Sequence, residues 1–309
     1  MSIASRLREL VEKAEKWSNE SVDEGLGFLE PASRLYIAFL GDGYGEAAAY
    51  LAYWFVRILA PNLYVEIHSG EDLTYHVFAY QEETTVANTR VAVFAEEGVE
   101  NSLARLADAA RLTGTRLLIV APPTPPIIEA RLGEPHVRVL LGGNATLEAL
   151  FYAAKLGFEL GRRKGVKSFR TDRLGGEIGN YAEVVEELVE KYRDFIESVK
   201  SVSGDVAIAF TPTMKPAAIL LRSYFEAKGV QASMMTVAGL VKRLSAGKVS
   251  RNVVLLCTDV EEDSVREARF KASMMMPSRQ PKLIELHMKT DPLTAPIYAS
   301  ILVYSLAML

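Results

Sequence analysis

The sequence predicts an α/β protein built as two similar halves, each a doubly wound parallel sheet wrapped by helices. Three observations carry this. Short apolar runs recur along the chain without alternating, as in strands covered by helices on both faces. Segments of ten or more residues with helical patterning separate most of them, the length that a right-handed crossover between parallel strands requires. The 309 residues exceed one average domain and suit two of about 150 each.

The first half opens with residues 1–20, where Arg6, Arg8, Glu9, Glu12, Lys13, Glu15 and Lys16 among leucines and alanines predict an amphipathic helix. Strands are predicted at Arg34–Leu40, Tyr64–His68, Arg90–Ala95, Arg116–Val120 and Val137–Leu141. Helices are expected at Glu46–Leu59, Glu71–Ala79, Val99–Leu112 and Thr146–Arg162. Pro122, Pro123, Pro125 and Pro126 predict an irregular crossing after the fourth strand.

Gly161–Gly176 is polar and basic, and it reads as the boundary between domains spanning 1–165 and 166–309. A helix over Tyr181–Val199 should open the second half. Strands then follow at Asp205–Phe210, Val230–Ser233, Asn252–Cys257 and Lys282–His287. Helices are expected at Pro216–Lys228, Val237–Ala246 and Ser264–Ser273, with an apolar closing helix at Ala295–Leu309.

Composition excludes several classes. The formal charge is −4, and neither half carries the basic face that nucleic-acid binding needs. The lone Cys257 rules out a disulfide framework and, ending an apolar run, reads as an inert buried thiol. No secretion signal opens the chain, and Pro296–Leu309 is too short to span a bilayer. The expected location is cytoplasmic, with no membrane partner. His68 and His76 lack metal-ligand spacing and read as structural, and Met274–Met276 as core or subunit contact.

The turn Gly41-Asp42-Gly43-Tyr44-Gly45-Glu46 resembles a dinucleotide loop until Glu46, which stands where a small residue is required and would repel pyrophosphate. No cofactor is expected. Asp42, Glu96, Glu97 and Glu100 come from two strand ends at the carboxyl edge, where open α/β sheets bind ligands. They read either as acids favoured at helix N-termini or as a cluster recognising an amine, a cation or sugar hydroxyls.

The layout of each half, strand, glycine loop and helix followed two strands later by strand, loop and helix, resembles the sugar isomerase (SIS) domain, a flavodoxin-like three-layer α/β/α unit. Two such units in about 300 residues resemble the archaeal phosphoglucose/phosphomannose isomerase branch. The stretch from Arg34 to Gly45 is similar to that branch's opening strand and turn. Glu285-Leu-His-Met-Lys289 resembles its Glu-Met-His-Pro-Lys stretch, and the closing helix resembles that of SIS domains.

The resemblance implies a sugar or sugar-phosphate ligand, a homodimer and aldose–ketose isomerisation. Glu226 would be the base, and His287 or Lys289 would stabilise the enediolate. Ligand contacts would come from Gly41, Asp42, Gly43, Tyr44, Glu96, Glu97, Gly98 and Glu100 in the first half, and from Thr211, Thr213 and Lys215 in the second. SIS domains hold phosphate with a Ser-x-Ser-x-x-Thr loop, and its hydroxyl positions fall here on Ala95, Glu97 and Glu100. Carboxylates there would oppose a dianion by roughly several kcal/mol in a poorly solvated cleft. No histidine occurs between His136 and His287, so ring opening has no obvious holder. The expectation is a sugar-binding SIS protein with a degenerate first phosphate loop. The alternative is an inactive binding, regulatory or structural dimer module.

Overall fold

In a computed structural model describing residues 3–80, 86, 88–165, 169–276, 278 and 280–308, the apolar runs form strands within three residues of their expected limits. The first sheet contains β1 (Arg34–Leu40), β2 (Tyr64–Ser69), β3 (Thr89–Ala95), β4 (Arg116–Ala121) and β5 (Val137–Leu140). Its order is β2-β1-β3-β4-β5, with all neighbours parallel. The second contains β6 (Val206–Phe210), β7 (Ala232–Thr236), β8 (Asn252–Thr258) and β9 (Lys282–Met288). Its order, β7-β6-β8-β9, is the same with one strand fewer, again parallel. Both sheets reverse direction after their first strand. Each therefore has a topological switch point, between β1 and β3 and between β6 and β8, where a ligand crevice is expected.

Around the first sheet lie α1 (Ile3–Leu29), α2 (Tyr44–Leu59), a short α3 (Gly70–Asp72) continued by wider and tighter turns to Tyr80, α4 (Glu100–Thr113), α5 (Pro126–Leu132), α6 (Ala145–Lys164) and α7 (Phe169–Glu177). The later helices are α8 (Tyr181–Lys191), α9 (Arg193–Lys200), α10 (Lys215–Ala227), α11 (Val237–Ser245), α12 (Glu262–Ser273) and α13 (Ala295–Ala307). Val91, Val93, Leu103, Leu106, Leu117 and Ile119 form part of the core on one face of the first sheet. Ala209, Leu240, Val253, Leu255, Cys257 and Val265 do the same on the second. Burial pushes the Cys257 thiol up to about 12, so it is an inert core residue as expected.

Three local readings change. The proline crossing contains α5, because Pro126 at a first helical position satisfies both its fixed φ and its missing N–H. The polar linker contains α7, which buries Thr171 and Leu174. The single helix expected over Tyr181–Val199 is broken at Tyr192, whose hydroxyl donates to the His287 carbonyl at 3.1 Å. Part of the basic run, residues 166–168, lies outside the described residues. Met274 and Met276 are exposed rather than core.

The chain divides into two units, Leu10–Ala182 and a second made of Glu183 onward with the first turns of α1 up to Glu9. The division falls later than the expected 165/166 boundary because α7 and the start of α8 belong with the first sheet. The buried Glu15 on α1 accepts from the Tyr181 and Ala182 N–H groups there. Among the described residues no helix is long and apolar enough to cross a membrane. The closing helix α13 is buried on nearly every side within its own unit, largely by α10. Its apolarity is thus explained without a second subunit.

Candidate functional site

Beyond β1 the chain must turn sharply into α2, and Gly41 takes φ +98°, a left-handed conformation that disfavours side chains. This turn leaves the first N–H groups of α2 pointing outward, a ready seat for an anion. The β1–β3 register pairs Leu40 with Ala95, which sets the turn directly beside Glu96. Glu96 Oε1 accepts from Gly43 N and Gly45 N, each at 2.8 Å, and the Glu46 N–H adds a third donor. Glycine is also needed at position 41 for space, since a Cβ there would stand 2.5 Å from Glu96 Cδ. The seat is filled by the protein's own carboxylate.

Burial raises the Glu96 carboxyl above its ordinary range, the three N–H donors oppose that shift, and Asp42 adds to it. Tyr44 is raised as well, chiefly by burial and then by Glu96 and Glu97, so its phenol stays protonated. Glu97 and Asp42 are exposed at the rim. Glu100 lies in the first turn of α4, where its Oε1 accepts from Gly98 N at 2.9 Å and its own N–H lowers its carboxyl further. Ala95 is buried at the end of β3. The structure thus gathers Gly41, Asp42, Gly43, Tyr44, Glu96 and Glu97 at one switch point, with Gly98 and Glu100 beside them.

The second unit repeats the juxtaposition with different donors. Phe210 of β6 pairs with Leu256 of β8, so the two following loops adjoin. Glu261, in the tight turn Asp259–Glu261 before α12, accepts from Thr213 Oγ1 and Thr258 Oγ1, each at 2.8 Å. Thr211 is buried and its hydroxyl is directed to the Leu256 carbonyl at 3.5 Å. Lys215 opens α10 two residues after Thr213. Asp259 Oδ1 lies 2.6 Å from His287 Nε2 at the end of β9. Lys289, just beyond, lines a mainly apolar recess of about 150 Å³ with Leu188, Tyr192, Met288 and Tyr298.

The proposed base does not join these groups. Glu226 sits exposed in the last turn of α10, within 3.7 Å of Arg222 Nε. Helix α10 starts at the carboxyl edge and runs back, so Glu226 lies at the edge where the strands begin, opposite His287 and Lys289. Nor do the other histidines form a centre. His136 is buried between the Leu117 N–H and the Ala107 carbonyl, and burial lowers its pKa. His68 pairs with Glu66 at 3.1 Å and packs edge-on against Tyr36. Among the described residues no cluster of three His, Cys, Asp or Glu could hold a metal.

From the sequence the loop Thr258–Glu262 reads as inhospitable to an anion, and neither the contacts of Glu261 nor the Asp259–His287 pair was foreseen. One signal was present, since Thr258-x-x-Glu261 has the spacing of a capping box. The reach of Glu96 to backbone donors some fifty residues earlier left no sequence signal.

No protein-family model and no curated protein matches the sequence. Solved structures do. The C-terminal domain of glucosamine-fructose-6-phosphate aminotransferase from Francisella tularensis superposes with TM-score 0.71 at 12% identity, over 100% of this chain and 96% of that one. A Salmonella typhimurium LT2 protein whose suggested role is sugar binding gives TM-score 0.71 at 12% identity, over 99% of each chain. Tagatose-6-phosphate ketose/aldose isomerase from Escherichia coli gives 0.64 at 13% identity, over 99% of this chain and 94% of that one. The chain therefore has the two-sheet SIS-type α/β fold of phosphosugar isomerases and their relatives.

Proposed function

We propose that this chain is a sugar-binding SIS protein that neither holds phosphate nor isomerises at its first unit. One observation carries the reading: the donors at the start of α2 that a sugar phosphate could use are taken by Glu96. The absence of hydroxyls at Ala95, Glu97 and Glu100 points the same way. Exposed Asp42 and Glu97 with the protonated Tyr44 offer acceptors and a donor to neutral sugar hydroxyls, a ligand class suggested by the sugar-handling neighbours. A homodimer, as in the archaeal phosphoglucose/phosphomannose isomerase branch, is carried by that resemblance alone. Analytical ultracentrifugation checks it.

Calorimetric titration of glucose, fructose and mannose 6-phosphates tests the main reading. We expect no saturable binding to the wild type, and a gain in a variant carrying Ala95→Ser, Glu97→Ser and Glu100→Thr. Tight wild-type binding, traced crystallographically to the loop after β3, would overturn it. The Asp259–His287 pair favours a second reading, residual isomerase activity using His287 and Lys289. Aldose–ketose conversion of the same sugars by wild type but not by His287→Ala would establish that reading.

A further inference from the structure

The amino edge of the first sheet, at the other end of its strands from the loops described above, carries a cleft of about 360 Å³. The last turn of α2, the turn after it and the first half of β2 line this cleft. We infer that it binds a small zwitterion with an apolar body, a free amino acid being the simplest, with the carboxylate on Arg57 and the ammonium on Glu66. Two charges of opposite sign line the cleft without meeting. Arg57 is exposed, its guanidinium carbon 5.8 Å from the centroid of the Tyr53 ring. Among the described residues no acid forms an ion pair with it, Glu66 included. A helix C-terminus favours a cation, yet that placement leaves the planar fork of guanidinium donors unused.

Glu66 is held where it stands. Its Oε1 accepts from the Tyr64 hydroxyl, and its Oε2 lies 3.1 Å from His68 Nε2. The half-exposed Tyr64 ring has the Arg34 guanidinium 4.8 Å from its centroid. Burial acts to raise the Glu66 carboxyl, but the Tyr64 and His68 hydrogen bonds and the His68 and Arg34 charges outweigh it. The carboxyl is lowered from its ordinary value and is ionised at neutral pH. A charge that merely guards an edge strand needs no such bracing, whereas a recognition group does. The remaining lining is apolar at the buried Leu63 and Val65 and at Pro61, and Asn62 adds an amide that serves either charge. β2 ends the strand order, so one side of its backbone has no strand partner. A ligand with one charge answers only half of this lining, and a neutral sugar answers neither charge. A molecule carrying both an ammonium and a carboxylate answers both.

Isothermal titration of L-leucine, L-methionine and L-phenylalanine into the full chain tests this. At least one is expected to saturate with a Kd of about 1 mM or tighter. For the tightest, the amide lacks the carboxylate and the N-acetyl derivative lacks the ammonium, and each should bind about tenfold more weakly or worse. Arg57→Ala should weaken the amino acid about tenfold and leave its amide unchanged. Glu66→Gln should weaken the amino acid similarly and leave the N-acetyl derivative unchanged, while Arg266→Ala should match the wild type. Circular dichroism checks folding, and the exposed Arg57 with the two derivatives decides the matter even if Glu66→Gln unfolds. The inference is overturned if none of the three saturates below about 10 mM. It is also overturned if either derivative binds as tightly as its parent, or if Arg57→Ala binds the amino acid as the wild type does. None of these outcomes depends on sugar binding at the first unit.

Discussion

At the scale of single residues, the first site turns on two side-chain facts, the absence of a Cβ at Gly41 and the carboxylate of Glu96. Gly41→Ala meets both a left-handed φ and a clash with Glu96, so a loss of about 2–3 kcal/mol is expected. In a Glu96→Ala background the steric part vanishes, leaving about 1 kcal/mol from φ. Urea unfolding of the four proteins as a double-mutant cycle measures this, and strict additivity would contradict the contact. The acid–base behaviour follows from the raised Glu96 carboxyl. A folded state that binds the proton more tightly than the unfolded one loses stability as pH rises from the ordinary value of 4.5 through the raised value. Glu96→Gln should therefore gain on the wild type in melting temperature as pH climbs through that window, and a flat difference would refute it. The acids themselves were legible as residues at a strand end. Their caps were not, because backbone N–H donors carry no residue signature.

At the scale of elements, the strands were legible because runs such as Leu117–Ile119 and Val253–Cys257 must be buried on both sides. Helices α5 and α7 were not, since prolines and basic residues dominate their sequences and only packing reveals them. The break at Tyr192 depends on a hydrogen bond to a strand 95 residues later, beyond any local pattern. Packing also left one polar cost between α1 and α6. The Tyr152 hydroxyl is fully buried, and no described residue hydrogen-bonds to it. It presses so closely on Gly25 of α1 that no Cβ fits there. Removing an unsatisfied buried hydroxyl recovers its desolvation, so Tyr152→Phe should stabilise the protein by about 1 kcal/mol. Chemical denaturation reads this, and a destabilised variant would reveal a buried water or partner at that oxygen.

At the scale of the whole molecule, the repeated strand order was legible from spacing, whereas the division between units was not. Nothing in the first turns of α1 marks them as belonging with residues from Glu183 onward. Leu7 is fully buried in that second unit, and Arg8 Nη1 lies 3.6 Å from Glu186 Oε1. Leu7→Ala should cost about 2–4 kcal/mol. A fragment of residues 10–182 should melt cooperatively, while residues 183–309 alone should melt lower than the same unit in the full chain. Equal melting of that fragment would show that the N-terminal turns add nothing. This discontinuity also sets a schedule for biosynthesis. Residues 3–9 leave the ribosome well before Glu186, which follows only after roughly ten to thirty seconds of translation. Leu7 spends that interval without its final neighbours, while the unit beginning at Leu10 can already close. A turn made before the unit at Leu10 is buried only after it, and the nascent chain must keep it out of wrong contacts until then.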